Sequence, residues 1–242
     1  MNVLVLGHRG MLGHVVARYL RERGHTILEA RERYSGRLDL NAAEAIVNCA
    51  GVVRADMDGL YLTNALLPLH LAARLGGRLL VQPSTDCVFD GKRGWYRAFE
   101  KPDATDDYGL SKRLGEGCLA FPNVVVLRTS IVGPGGRGLL GWFLRQSGPV
   151  DGWTDHAWNG ITTLAWAELA AQALSGDLVS GLYQPTTKAT ITKCELLGLF
   201  GEVFEHRIEV RPVAVGALDR TLAPTLPMPP LRDQLVALRD WA

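Results

Sequence analysis

The feature that most constrains this chain is Gly7-His8-Arg9-Gly10-Met11-Leu12-Gly13, set between an apolar run and a helical pattern. Asn2 to Leu6 (NVLVL) is short and almost continuously apolar, as expected of a strand buried on both faces. VVARYLRERG, which follows the glycines, has helical period and stops at Gly24. A G-x-x-G-x-x-G turn at such a junction brings backbone close to a pyrophosphate at a helix N-terminus, whose free N–H groups attract anions. Gly7, Gly10 and Gly13, with Arg9, Met11 and Leu12 between them, are therefore read as a dinucleotide cradle.

The remaining pattern predicts how that cradle is framed. HTILEA gives a second strand, RLDL (37–40) a third, and AIVNCAG (45–51) a fourth. Parallel neighbours usually need a connection of about a dozen residues or more, so only NAAE between the third and fourth is unusually compact. LYLTNALLPLHLAARLG from Leu60 predicts one long helix through Pro68, and RLLVQPST from Arg78 a fifth strand. DYGLSKRLGEGCLA from Asp107 predicts a helix and NVVVLRTS from Asn123 a sixth strand. This alternation is that of a doubly wound α/β sheet of Rossmann type.

After Gly133 the order loosens into the flexible turn GPGGRG and the helix TTLAWAELAAQALSG from Thr162. A strand GLYQP, a helix ITKCELLGLFGEVF, a strand HRIEVRPV, the Pro-rich TLAPTLPMPP and a terminal helix LRDQLVALRDWA complete the chain. The expected division is a dinucleotide-binding domain over residues 1–150, carrying the catalytic residues, and a small substrate-binding lobe over 151–242. The two are expected to interleave in part.

Composition narrows the class. Twenty-six basic residues against 25 acidic ones leave a formal charge of +1 with no run of like charges, so no nucleic-acid partner is expected. No apolar stretch approaches the roughly 18 residues of a membrane span, and the N-terminus enters a strand without a signal-peptide pattern. Cys49, Cys87, Cys118 and Cys194 are widely spaced, which fits neither a disulfide framework nor a zinc site and suits a reducing cytoplasm. The six histidines lack metal-ligand spacing, so no metal is expected.

The chemistry sits in two further motifs. Tyr108-Gly-Leu-Ser-Lys112 puts a phenol and an ammonium on one helical face, where the positive charge is expected to lower the tyrosine pKa for proton transfer. Ser84-Thr85-Asp86 lies at the C-terminal end of a predicted strand, where open α/β sheets bind ligands. A hydroxyl there can bond a substrate carbonyl while Tyr108 protonates it.

These pieces in order (GHRGMLG, VNCAG at 47–51, LTNALLP around Asn64, STDCVFDG at 84–91, YGLSK with Glu116 behind it, and LRTSIVG at 127–133) resemble the extended short-chain dehydrogenase/reductases. Within them the chain is most similar to the dTDP-4-dehydrorhamnose reductase group; GITTL at 160–164 extends the similarity. The resemblance implies reduction of a ketone on a nucleotide-linked deoxysugar with a nicotinamide cofactor. It implies that Thr85 binds the carbonyl, Tyr108 donates the proton, and Lys112 holds the nicotinamide ribose and tunes Tyr108. Asn64 would support the active-site backbone or a proton relay. Cys49, Ala50 and Gly51 would line the cofactor path, Asp39 and Leu40 would meet the adenine, and Asp86, Val88 and Phe89 would face the substrate. Related dehydratases place Asp-Glu after the threonine; Cys87 replaces that Glu here, so reduction is implied rather than elimination.

The cofactor depends on the end of the second strand, Glu29-Ala30-Arg31-Glu32-Arg33. If Ala30 holds the acidic position, Arg31 is free to meet a 2′-phosphate with Arg9; if Glu29 holds it, NAD(H) is expected. NADP(H) is favoured and NAD(H) stays open. Trp158 and Asn159, in DGWTDHAWNG, are expected to meet the sugar or base, and Arg220 to hold a diphosphate. Ile131 departs from the aromatic residue that the family carries inside this motif, which leaves the sugar open. Alternatives are an epimerase of the same superfamily and a non-catalytic NADP-binding regulatory subunit. The expected partners are the nucleotide-sugar substrate and, beyond it, a second copy of the chain in a homodimer.

Overall fold

A computed structural model describes residues 1–30, 38–53, 57–135 and 138–242. In chain order the strands and helices begin β1 (Asn2–Leu6), α1 (Met11–Glu22), β2 (Thr26–Glu29), β3 (Ala45–Asn48), α2 (Met57–Tyr61), α3 (Leu67–Ala73) and β4 (Leu79–Ser84). They continue with α4 (Asp107–Gly115), β5 (Val124–Arg128), β6 (Ile131–Val132), α5 (Leu139–Phe143), β7 (Val150–Trp153), β8 (His156–Trp158), β9 (Ile161–Thr162) and α6 (Thr163–Ser175). The last are β10 (Gly181–Tyr183), β11 (Pro185–Thr187), β12 (Ile191–Thr192), α7 (Lys193–Val203), β13 (Val210–Val213), β14 (Leu218–Asp219), β15 (Leu226–Met228) and α8 (Leu231–Trp241).

Six parallel strands form the main sheet in the order β10-β5-β4-β3-β1-β2. Alternation along β1 divides the core. Val3 and Val5 pack with Val15, Val16 and Leu20 of α1 and with Leu164, Ala167 and Ala170 of α6. Leu4 and Leu6 point the other way, to Leu67 and Leu71 of α3. The apolar run of β1 is thus explained by burial on both faces. The strand order reverses between β1 and β3, and ligands of open α/β sheets bind outside the carboxyl ends of strands at such a switch point.

Two expectations about the elements need correction. Leu38 to Leu40 of RLDL form no strand, and Leu40 packs under the sheet with Leu4, Ile46 and Leu71. The compact linkage therefore leads directly into β3, and the sheet has one strand fewer on this side than the pattern suggested. The helix expected from Leu60 does run through Pro68: α2, a π-helical turn at Leu62–Leu66 and α3 follow one another without a break, and the junction residues Tyr61, Leu66 and Leu67 are all helical. The π turn widens the helix just before Pro68, where the backbone N–H that proline lacks would otherwise be needed. HRIEVRPV contributes only Val210–Val213 as strand.

Elements beyond residue 150 are shared between two assemblies. β10 completes the main sheet beside β5, and α6 covers its face against α1. The rest build small layers: β7 with β13, β8 with β12 and β14, and β11 with β15. β14 meets the loop after β4, where the N–H of Asp219 donates to the carbonyl of Gly91. No described helix is long and apolar enough to cross a membrane.

Candidate active site

The glycine turn sits at the switch point. Gly7 has φ +69°, and a Cβ there would lie 2.7 Å from the Ala50 nitrogen and the Cys49 carbonyl oxygen at the end of β3. Gly13 approaches the Gly7 carbonyl so closely that a Cβ would stand 2.1 Å away. These positions need glycine because two backbones meet, not because the turn is loose. Gly10 caps α1 without a side-chain hydrogen bond, and no acidic residue stands in the first turn, so the helix end is open to an anion. His8 is the one odd member: both ring nitrogens are buried without a hydrogen-bond partner, and Nε2 lies 3.3 Å from the Glu29 carboxylate. A backbone cradle that a Cβ would fill and an uncapped helix end together fit a dinucleotide.

The second half is built at the end of β4. Thr85 is buried and caps a 3-10 turn, Asp86–Val88, by accepting from the Cys87 N–H at 3.2 Å while its hydroxyl donates to Asp86 at 2.9 Å. Asp106 caps α4 by accepting from the Gly109 N–H at 2.8 Å, which fixes where Tyr108 begins the helix. Lys112 lies one turn on, buried, and its ammonium donates to the Pro83 carbonyl at 2.8 Å. Burial pulls its pKa down to about 8, against the raising effect of Glu116.

The expected lowering of the Tyr108 pKa does not hold. Burial, followed by the neighbouring Cys87, raises it above its ordinary value, and the hydrogen bond with Thr85 opposes this only in part. Lys112 spends its ammonium on the Pro83 carbonyl instead. The buried phenol is thereby held in its protonated form.

Asn64 ties the two halves together from within the π-helical turn, a feature that often marks functional sites. Its amide accepts from the Val52 N–H at 3.0 Å and donates to the Val52 carbonyl at 2.7 Å and to Ser111 Oγ at 3.1 Å. Ser111 in turn donates to the Tyr108 carbonyl at 2.8 Å. Asn64 thus supports the backbone after β3 and the α4 turn that carries Tyr108.

Beneath them runs a buried network whose members lie in the quoted motifs but to which the sequence assigned no role. Ser84 Oγ donates to Glu116 at 2.6 Å, and Arg128 grips the same carboxylate at 2.8 and 2.7 Å. Arg128 also donates to Gln184 at 3.0 Å, and Gln184 reaches the Tyr96 and Ala223 carbonyls. The residue before Thr85, the end of α4, β5 and the chain after β10 are therefore bound as one unit. A bidentate arginine is suited to such a junction.

Other predicted residues fare differently. Asp86 is half-buried and Arg220 stands close by, donating to the Phe89 carbonyl at 2.9 Å and approaching Asp106 at 3.4 Å and Cys87 Sγ at 3.6 Å. Burial pushes the Cys87 thiol up to about 12, so it is a neutral neighbour. Val88 and Phe89 do not face a substrate: both are fully buried with Tyr96 and Leu222. Trp158 is buried and donates to Ser130 Oγ at 2.7 Å. Asn159 is also buried, donating to the Leu222 carbonyl at 2.8 Å and accepting from its N–H at 3.1 Å. These four hold the small layers together, so their assignment as substrate contacts is withdrawn. Leu40 likewise packs in the core instead of against an adenine, whereas Asp39 is exposed. Arg31 lies outside the described residues.

Two neighbours were missed in the sequence. Gly135 and Gly138 lie against Met11, so the turn after β6 runs beside the cradle. Lys193, at the start of α7, is felt electrostatically by Asp86. Its only sequence signal was a lysine at the start of a helix, which is too common to single out.

A switch-point glycine cradle beside Thr85, Tyr108 and Lys112 defines the class as a short-chain dehydrogenase/reductase. Residues 1–196 match the family model described as the RmlD substrate binding domain, and the chain belongs to that family. It is 37% identical over 162 residues to a dTDP-4-dehydrorhamnose reductase of Mycobacterium tuberculosis, covering 57% of this chain and 52% of that protein. With methionine adenosyltransferase 2 subunit beta of Xenopus tropicalis it is 25% identical over 266 residues, covering 93% and 80%. The crystal structure of dTDP-4-dehydrorhamnose reductase from Bacillus anthracis in complex with NADP superposes with TM-score 0.85 over 100% of this chain and 99% of that one, at 20% identity. The match spans about half the length of the reductase relative.

Proposed function

We propose that this protein is an NADP(H)-dependent reductase of a keto group on a nucleotide-linked deoxysugar. The observation that carries the reading is the gathering of Thr85, Tyr108 and Lys112 at the end of β4, beside the glycine cradle. A nicotinamide dinucleotide held by its pyrophosphate in that cradle would supply the hydride. Thr85 Oγ1 and Tyr108 Oη would receive the carbonyl oxygen, and Tyr108, raised in pKa by burial, would give up its proton as negative charge develops there. Lys112, fixed by the Pro83 carbonyl, would hold the nicotinamide ribose.

NADP(H) is favoured by two features. Arg21 is already paired with the Glu29 carboxylate, and Arg9 is exposed in the glycine turn, so Glu29 is partly neutralised where a 2′-phosphate would lie. The superposed Bacillus anthracis reductase was solved with NADP. Arg220, with donors to spare, is the residue proposed for the diphosphate. The reading also includes a homodimer in a reducing cytoplasm, tested by light scattering and by localisation.

A second reading follows from the similarity to methionine adenosyltransferase 2 subunit beta, which spans more of the chain: a regulatory subunit that binds cofactor without turnover. The intact Thr85, Tyr108 and Lys112 set favours the reductase. A screen of keto-deoxysugar nucleotides for NADPH oxidation decides between them. NADPH consumed by the wild type and not by Tyr108→Phe supports reduction. Interconversion of sugar nucleotides without net consumption indicates an epimerase, and tight NADPH binding with a stable protein partner and no turnover indicates the regulatory subunit.

A further inference from the structure

Lys193 opens α7, on the side of the small strands, yet its ammonium lies within electrostatic reach of Asp86, the residue after Thr85. It stands 5.2 Å from the centre of the Trp158 ring. That ring is buried, and its Nε1 donates to Ser130 at 2.7 Å, so the platform beneath the ammonium is rigid. An ammonium has three N–H donors, and one that is drawn out of water ordinarily finds oxygen acceptors. Lys193 has neither a hydrogen bond nor an ion pair among the described residues; its neighbours are the aromatic face and the charge across from it. Desolvation brings its pKa down to about 8 even though the Asp86 carboxylate favours the charged form.

The charges nearby indicate what is missing. Lys193 faces one carboxylate, Asp86, and the two charges sum to zero, whereas Arg220, assigned to the diphosphate, stands by Asp106. A dianionic diphosphate placed next to Lys193 would also be placed next to Asp86. A neutral polyhydroxylated ring suits the pair better: Lys193 donates to one ring oxygen and Asp86 accepts from a neighbouring hydroxyl. We propose that Lys193 binds substrate, donating from Nζ to an oxygen of the sugar ring beside the ketone held by Thr85. The proposal rests on the reductase reading for the identity of the substrate class, and it gives the small-strand side of the molecule its contact with the sugar.

The test uses calorimetric titration of the full chain, loaded with NADP, in the wild type, Lys193→Met and Lys193→Arg. The probes are UDP-glucose against UDP and dTDP-glucose against dTDP. A hydrogen bond from a charged donor contributes roughly 1.5–3 kcal/mol, which is about 10- to 150-fold in Kd. Lys193→Met is expected to weaken the sugar nucleotide by that factor while leaving the bare nucleoside diphosphate and NADP unchanged, and Lys193→Arg to recover part of the loss. Unchanged sugar-nucleotide affinity in Lys193→Met overturns the proposal. Equal weakening of the bare diphosphate overturns it too, since the contact then belongs to the phosphates or to the packing around Trp158. A wild type that binds these sugar nucleotides but oxidises NADPH with no keto-sugar nucleotide overturns the reductase reading alone, while the Kd comparison still decides Lys193. A wild type that binds none of them overturns both.

Discussion

The wall formed by β4 and α4 and the layer formed by β8, β12 and β14 are assembled from contacts of very different range. In the wall, Thr85 caps its own turn, Asp106 caps the helix three residues on, and Tyr108 and Lys112 are one helical turn apart. In the layer, Trp158 reaches Ser130, Asn159 reaches Leu222, and Leu218 pairs with His156. Polar side chains in the wall are spaced by helix and turn geometry, so they keep groups free for a ligand. Those in the layer are consumed in joining strands of two or three residues, each too short to hold itself. A motif-like residue on the wall is thus a candidate for chemistry, and a similar residue in the layer is a candidate for structure.

The comparison breaks first at Tyr108. Removing the phenol with Tyr108→Phe should lower turnover by about 10²–10⁴-fold, the usual contribution of a positioned acid, with NADPH affinity unchanged. Steady-state NADPH oxidation with parallel cofactor titration checks this; turnover within threefold of wild type would remove Tyr108 from the mechanism.

Next is the network beneath the wall. Glu116→Gln leaves the buried Arg128 guanidinium without its counter-charge, and breaking such a pair generally costs about 3–5 kcal/mol. Urea unfolding should show it. A loss below about 1 kcal/mol would mean that Ser84 and Gln184 carry the junction without the ion pair.

In the layer, Asn159→Ala should cost about 1–3 kcal/mol by leaving the Leu222 N–H without its acceptor, with KM for the sugar nucleotide within about twofold. A tenfold rise in KM at unchanged Tm would return Asn159 to the substrate site and erase the distinction between the two regions.

The smallest effect is in pH. The Lys112 pKa is depressed to about 8 from an ordinary 10.5. Its cationic contact in the site should therefore fade as pH rises through about 8, lowering kcat/KM by about tenfold per pH unit above that point. Its contribution to stability has the opposite sign. Between about pH 8 and 10.5 the unfolded chain binds the proton and the folded one does not, so stability from this group rises with pH there. A pH profile of kcat/KM beside unfolding curves separates the two; a profile flat to pH 10 would show that the charge on Lys112 is not needed.

Much of the wall was legible in the sequence because its contacts are local. The glycine spacing, the strand before it, the hydroxyl after β4 and the four-residue step from Tyr108 to Lys112 are all set by the periods of strand and helix. Asn64 was found by resemblance, but its bridge from Val52 to Ser111 depends on a π-helical turn that helical periodicity does not announce. RLDL reads as a strand, yet Leu38 to Leu40 form none, because a four-residue apolar alternation can serve equally as a loop with one buried leucine.

What the sequence by itself determined, then, is the doubly wound sheet, the cradle and the pairing of Tyr108 with Lys112 on one helical face, since each is written in spacings of a few residues. Tertiary structure alone decided that Lys112 faces the Pro83 carbonyl and Tyr108 rises in pKa, because desolvation depends on what lies overhead, not on neighbours in the chain. It alone placed Arg128 on Glu116, Arg220 beside Cys87, and Lys193 over Trp158 toward Asp86. Those pairs lie from 12 to 133 residues apart, and only closure of the small strands onto the loop after β4 brings the long-range ones together.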